Sequence, residues 1–143
     1  MGRKRQMPKW YPAEYQCAEE IAHARIQKVL SKAEKLPFEV KNTPEGREQI
    51  HQCCMEVIDL AFTYEIDFNL VIHCVDWLYL NDFDTEAFET AKRLFDLFDE
   101  AKEPKRKLFA KVCDCLEEIA YERDDTEELL DRIMMARVHN DLS

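Results

Sequence analysis

In residues 68–80, FNLVIHCVDWLYL, a histidine and an aspartate stand three residues apart within the most apolar stretch of the chain. On a helix, His73 and Asp76 would share one face, where they could serve as an acid/base dyad, half of a metal site, or a narrow wet edge. Asn69 extends the same line, because positions 69, 73 and 76 fall at i, i+4 and i+7. The other positions are apolar, which is the pattern of a central helix with one edge reaching water. The expectation is structural, with His73 and Asp76 pairing across one turn.

Carboxylates and histidine meet again nearer the start of the chain. Glu20-x-x-His23 has the spacing that sets a carboxylate and an imidazole on one helix face in di-metal bundles. Such a centre needs a second copy and two further carboxylates facing the interior, and we treat Glu20 and His23 as a single copy. Glu19, Glu20 and His23, followed by Glu56-x-x-Asp59 on the next helix, also resemble the E-E-x-x-E and E-x-x-D pair of the all-α nucleotide pyrophosphohydrolases. The resemblance covers a few residues, and His23 stands where that family has its last glutamate. It implies a metal-dependent all-α enzyme, with carboxylates of two helices holding magnesium against phosphates. Both sets lie opposite the apolar stripes of their helices. A solvated face is therefore the expectation, and the enzyme the alternative.

Six cysteines, at 17, 53, 54, 74, 113 and 115, form no C-x-x-C pair, and four histidines repeat no zinc-finger spacing. His51-x-Cys53 is the nearest local pair of soft ligands. The start MGRKRQMPKWYP is basic but has no apolar stretch behind it to make a secretory signal. A cytoplasmic chain with reduced, buried thiols is expected. Serine occurs at 31 and 143 alone, and no glycine-rich turn builds an oxyanion hole. No catalytic residue, cofactor or metal is assigned.

Charge is more informative. The net formal charge is −10, yet residues 1–41 carry nine Lys/Arg against five Asp/Glu. The remainder must therefore supply −14. Its densest part is Glu117, Glu118, Glu122, Asp124, Asp125, Glu127, Glu128 and Asp131, spread around a turn between two helices. Spread in that way it suits a negative face better than a chelating cage, although acids in a first helical turn also favour the helix dipole. The domain body should repel nucleic acid and attract a protein partner with a basic surface. Arg3, Lys4, Arg5, Lys9 and Trp10 form a basic arm, residues 1–12, that could assist contact with a partner.

The elements that must position these residues are helical. Only two glycines and five prolines occur among 143 residues, 35% of which are charged. That length suits one domain, and the mix disfavours turn-rich β folds. Apolar spacing predicts six helices. The first spans about 13–35 and the second follows Thr43-Pro44 with Ile50, Cys53, Cys54, Val57 and Ile58 inward. The third is 68–80. The fourth has Asp84 as N-cap, the fifth starts at Pro104, and the sixth starts at Asp125 with Glu128 completing a capping box. In the sixth, Leu129, Leu130, Ile133, Met134 and Val138 are read as the core stripe.

An all-α single domain of about six antiparallel helices follows, a compact bundle or three stacked hairpins, with 68–80 central and residues 13–143 as the domain. No apolar run reaches the ~18 residues of a membrane span. The functional expectation is a non-catalytic interaction protein that uses the acidic face, as an inhibitor or adaptor of a nucleic-acid-handling complex by phosphate mimicry. Self-association through Trp77, Tyr79 or Leu80 as a homodimer is the remaining alternative.

Overall fold

A computed structural model describes residues 13–142, with side chains from residue 18 onward. The basic arm, Arg3 to Trp10 included, and Cys17 as a packing residue lie outside what is described. The chain folds as helices α1 (Ala13–Glu34), α2 (Phe38–Lys41), α3 (Pro44–Tyr64), α4 (Phe68–Leu80), α5 (Asp84–Glu100), α6 (Arg106–Tyr121) and α7 (Glu127–His139). The described residues are 81% helical, with no strand. Six helices were expected, and seven are present among the described residues. The addition is α2, a single turn between Pro37 and Asn42 whose sequence carries no apolar period of its own.

The corners show how a chain with so little glycine ends its helices. Glu65, Asp82 and Asp141 take φ of 52, 69 and 54°, the left-handed region where a helix C-terminus usually places glycine. The residue after each turns back on the helix. Ile66 N–H donates to Ala61 O at 3.0 Å, Phe83 N–H to Leu78 O at 2.8 Å, and Leu142 N–H to Arg137 O at 2.8 Å. An acid followed by an apolar residue thus builds the stop, with the apolar side chain sealing the turn.

Helix starts are less regular than their sequences suggest. α3 opens as expected, with the Thr43 hydroxyl accepting from Gly46 N–H at 3.0 Å and Pro44 in the first turn. Asp84, expected as an N-cap, is instead the first residue of α5. α6 starts at Arg106 rather than Pro104. α7 starts after Thr126, and the expected Asp125–Glu128 capping box does not form. The reason is Thr126: its buried hydroxyl donates to Ala120 O at 2.7 Å, fastening the corner to the end of α6. Asp125 is left in the left-handed region at φ 60°, unable to cap.

Each long helix packs on the next, and α4 also packs on α6. That arrangement makes α4 central, touching α3, α5 and α6. Its Val71, Cys74, Val75 and Leu78 are fully buried. Aromatic rings join the layers: Phe62 of α3 meets Phe68 of α4, Phe68 meets Phe98 of α5, and Phe98 meets Phe109 of α6, with centroids 5.6, 6.0 and 5.9 Å apart. Pairs of this kind contribute about 0.5–1.5 kcal/mol each beyond the area they bury. Cys54 of α3 and Cys74 of α4 are buried free thiols in the same core, and the nearness of Cys54, with burial, pushes the Cys74 thiol far up. Its neighbour Cys53, expected inward, is only half-buried.

Candidate functional site

The polar line of α4 lies on the surface, with Asn69, His73 and Asp76 all exposed. His73 and Asp76 do not bond each other, which corrects the expected pair. The His73 ring packs on Trp77 with centroids 4.9 Å apart, and Asp76 accepts from the Cys115 thiol of α6. Leu80 continues the exposed line, so the edge ends in an apolar residue.

Of the residues in the enzyme alternative, His23 and Glu56 are engaged elsewhere. His23 Nδ1 lies 2.6 Å from Asp67 Oδ2 at the α3–α4 corner. Asp67 therefore ties α1 to that corner and leaves the start of α4 without a side-chain cap. Glu56 accepts two bonds from Arg25, at 2.6 and 3.2 Å. Glu20 and Asp59 are exposed, and Glu19 is half-buried. A second E-x-x-H, Glu48-x-x-His51 on α3, corrects the treatment of Glu20 and His23 as a single copy. It faces a different neighbour, with His51 Nε2 3.1 Å from Glu86 of α5. Among the described residues, no group of three or more His, Cys, Asp or Glu converges as a metal cage.

The acidic residues of the second half behave differently. Eight acids and one base, Arg123, occupy positions 117–131. Arg123 lies over the Phe88 ring, 4.4 Å from its centroid. Glu117 is half-buried and accepts from Arg137, 3.3 Å away, and Arg137 also holds Asp114 at 2.9 Å. Glu122 accepts from the Tyr79 hydroxyl of α4. The other six, Glu118, Asp124, Asp125, Glu127, Glu128 and Asp131, are exposed and have no ion-pair or hydrogen-bond partner among the described residues. The structure thus divides the predicted cluster. Glu117 and Glu122 brace α6 against α7 and α4, and six carboxylates stand uncompensated.

Beside them α7 departs from its sequence reading. Leu129, Ile133 and Ala136 turn inward, whereas Met134 and Val138 are 60% and 74% exposed. Half-buried Leu130, which also packs on the core, recurs with exposed Met134 and Val138 every four positions as a second apolar line. With Tyr121 of α6, Leu130 and Met134 floor an open groove of about 300 Å³, edged by Glu117, Glu127 and Asp131, with Arg137 at its end. Sequence spacing missed this groove because α7 has apolar residues at enough positions to satisfy two faces. Packing in the folded chain decides between them, with Leu129, Ile133 and Ala136 buried.

No family model matches the chain, and neither does any curated protein or solved structure. Among the described residues, no helix is long and apolar enough to cross a membrane.

Proposed function

We propose that the chain is a non-catalytic protein-interaction domain that receives a basic surface of a partner protein at the α6–α7 corner. The observation that carries this reading is the division of the acidic cluster. Stability accounts for Glu117 and Glu122, which have partners, and for Glu127 and Glu128, which favour the α7 dipole from its first turn, but not for Glu118, Asp124, Asp125 and Asp131. Uncompensated like charges repel one another in the folded state and are retained at some cost to it. A cationic partner would remove that repulsion on binding. Closely spaced carboxylates also present the kind of field that a phosphate backbone presents, so the basic groove of a nucleic-acid-handling protein suits this face. An inhibitor or adaptor of such a complex is the concrete form of the proposal.

The test is affinity capture from the native host at low and high salt, with a Glu118→Lys, Glu127→Lys, Glu128→Lys, Asp131→Lys variant beside the parent. Glu117 is spared, since its loss would loosen Arg137. A partner retained by the parent at low salt should be released at high salt and should not bind the variant. A partner held equally by both proteins would sink the proposal.

A further inference from the structure

We infer that the α6–α7 groove binds an amphipathic helix of the partner protein, with apolar side chains seated on Tyr121, Leu130 and Met134 and lysine or arginine along its flanks. The inference rests on the acidic-face reading and adds the form of the occupant. Charge alone does not account for the surface. Tyr121, Met134 and Val138 are 70%, 60% and 74% exposed, side by side with carboxylates that have no partner. A face meant purely for solvent or for a flat basic patch gains nothing from these residues, because exposed apolar area costs solubility.

The geometry suits a helix. Leu130, Met134 and Val138 run two turns along α7, about 12 Å at the usual rise per residue. A helix laid in the groove would meet them with anchors at i, i+4 and i+7, the usual mode of helix-in-groove recognition. Methionine adapts its shape to such anchors, and tyrosine offers a large contact with few torsions to freeze.

Charge selects among occupants. A second copy of this chain, placing its own α7 line against this one, would bring Glu127 and Asp131 of both copies together. Like charges at close range oppose that pairing. Among the described residues, the one base lining the groove, Arg137, is already committed to Asp114 and Glu117. The free charge around the groove is therefore negative among the described residues, and it asks for a cationic rim on the visitor.

Two synthetic peptides of identical charge test this by fluorescence anisotropy on the full chain. One is a lysine-rich helix with leucine at i, i+4 and i+7; the other has each leucine replaced by alanine, which keeps the helix and removes the anchors. The leucine peptide should bind more tightly by about tenfold or more, a difference of about 1.4 kcal/mol. Met134→Glu and Tyr121→Glu should each remove that advantage. Both residues are exposed, so the far-UV circular dichroism and melting of the variants should match the parent. Equal binding of the two peptides would overturn the groove inference while leaving the acidic-face reading in place. Binding of neither would overturn both. A leucine advantage that emerges only after deletion of residues 1–12 would make the chain's own arm the occupant and overturn the inference. A parent that is dimeric in light scattering, with Met134→Glu monomeric, would overturn it in favour of a second copy.

Discussion

The Cys115 thiol of α6 donates a hydrogen bond to Asp76 Oδ1 of α4, with sulfur and oxygen 3.7 Å apart. Burial, and after it the Asp76 charge, raise this thiol from its ordinary 9.0 to about 12. At about pH 8 such a group is thiolate on the order of one part in ten thousand, and only the thiolate is nucleophilic. Cys115 should therefore alkylate far more slowly than a free cysteine. Asp76→Asn removes the charge and leaves the burial, so the labelling rate should rise, about tenfold for each pKa unit recovered. Iodoacetamide labelling read by peptide mass spectrometry measures this. An unchanged rate in the variant would show that the carboxylate does not act on the thiol.

Tyr79 joins the same side of α4 to the end of α6. Its hydroxyl donates to Glu122, and that bond, then burial and the surrounding negative charges, raise the phenol from 10.0 to about 12. The folded state holds the proton more tightly than the unfolded one. The link therefore contributes fully below pH 10, and its contribution is lost as pH rises towards 12. Tyr79→Phe has no proton to lose at this position. Thermal melts of both proteins across the alkaline range should show their stability difference narrowing over that window. A difference that stays constant with pH would contradict the bond.

Gly46 is where α2 lies on α3. A Cβ there would sit 1.7 Å from the Val40 carbonyl oxygen, an obstacle of backbone rather than of a movable side chain. Helix propensity alone would favour alanine by about 1 kcal/mol. Overpacking costs about 1–3 kcal/mol, and more where the backbone must shift. The steric effect is the larger. Gly46→Ala should lower stability by about 2 kcal/mol in urea denaturation, and a gain would mean that α2 moves aside freely.

These three sites differ in how readable they were. Gly46 could be seen as unusual, since one of only two glycines sits just after a helix start. What it approaches could not, because α2 owes its turn to Pro37 and to packing rather than to a period. Asp76 was visible as a polar interruption in an apolar helix, but its partner was not. Cys115 is distant in sequence, and His73, the local choice, turns to Trp77 instead. Tyr79–Glu122 had no local signal at all, since it joins residues 43 positions apart.

The sequence alone determined that this protein is helical, that α4 is central, and that its negative charge gathers at the α6–α7 corner. Each of these is a one-dimensional property, carried by the spacing of apolar residues, the scarcity of glycine and the order of acids along the chain. Tertiary structure decided which acids are spent on the fold and which remain available. It did so by bringing Arg137 to Glu117 and Tyr79 to Glu122, and by leaving the other six carboxylates with no such neighbour. It also chose which apolar line of α7 is buried: Leu129, Ile133 and Ala136 face the core, and the Thr126 hydroxyl fastens the corner before them. A helix with two apolar faces carries no local instruction to prefer one. Only the shape of the surface it meets supplies that instruction.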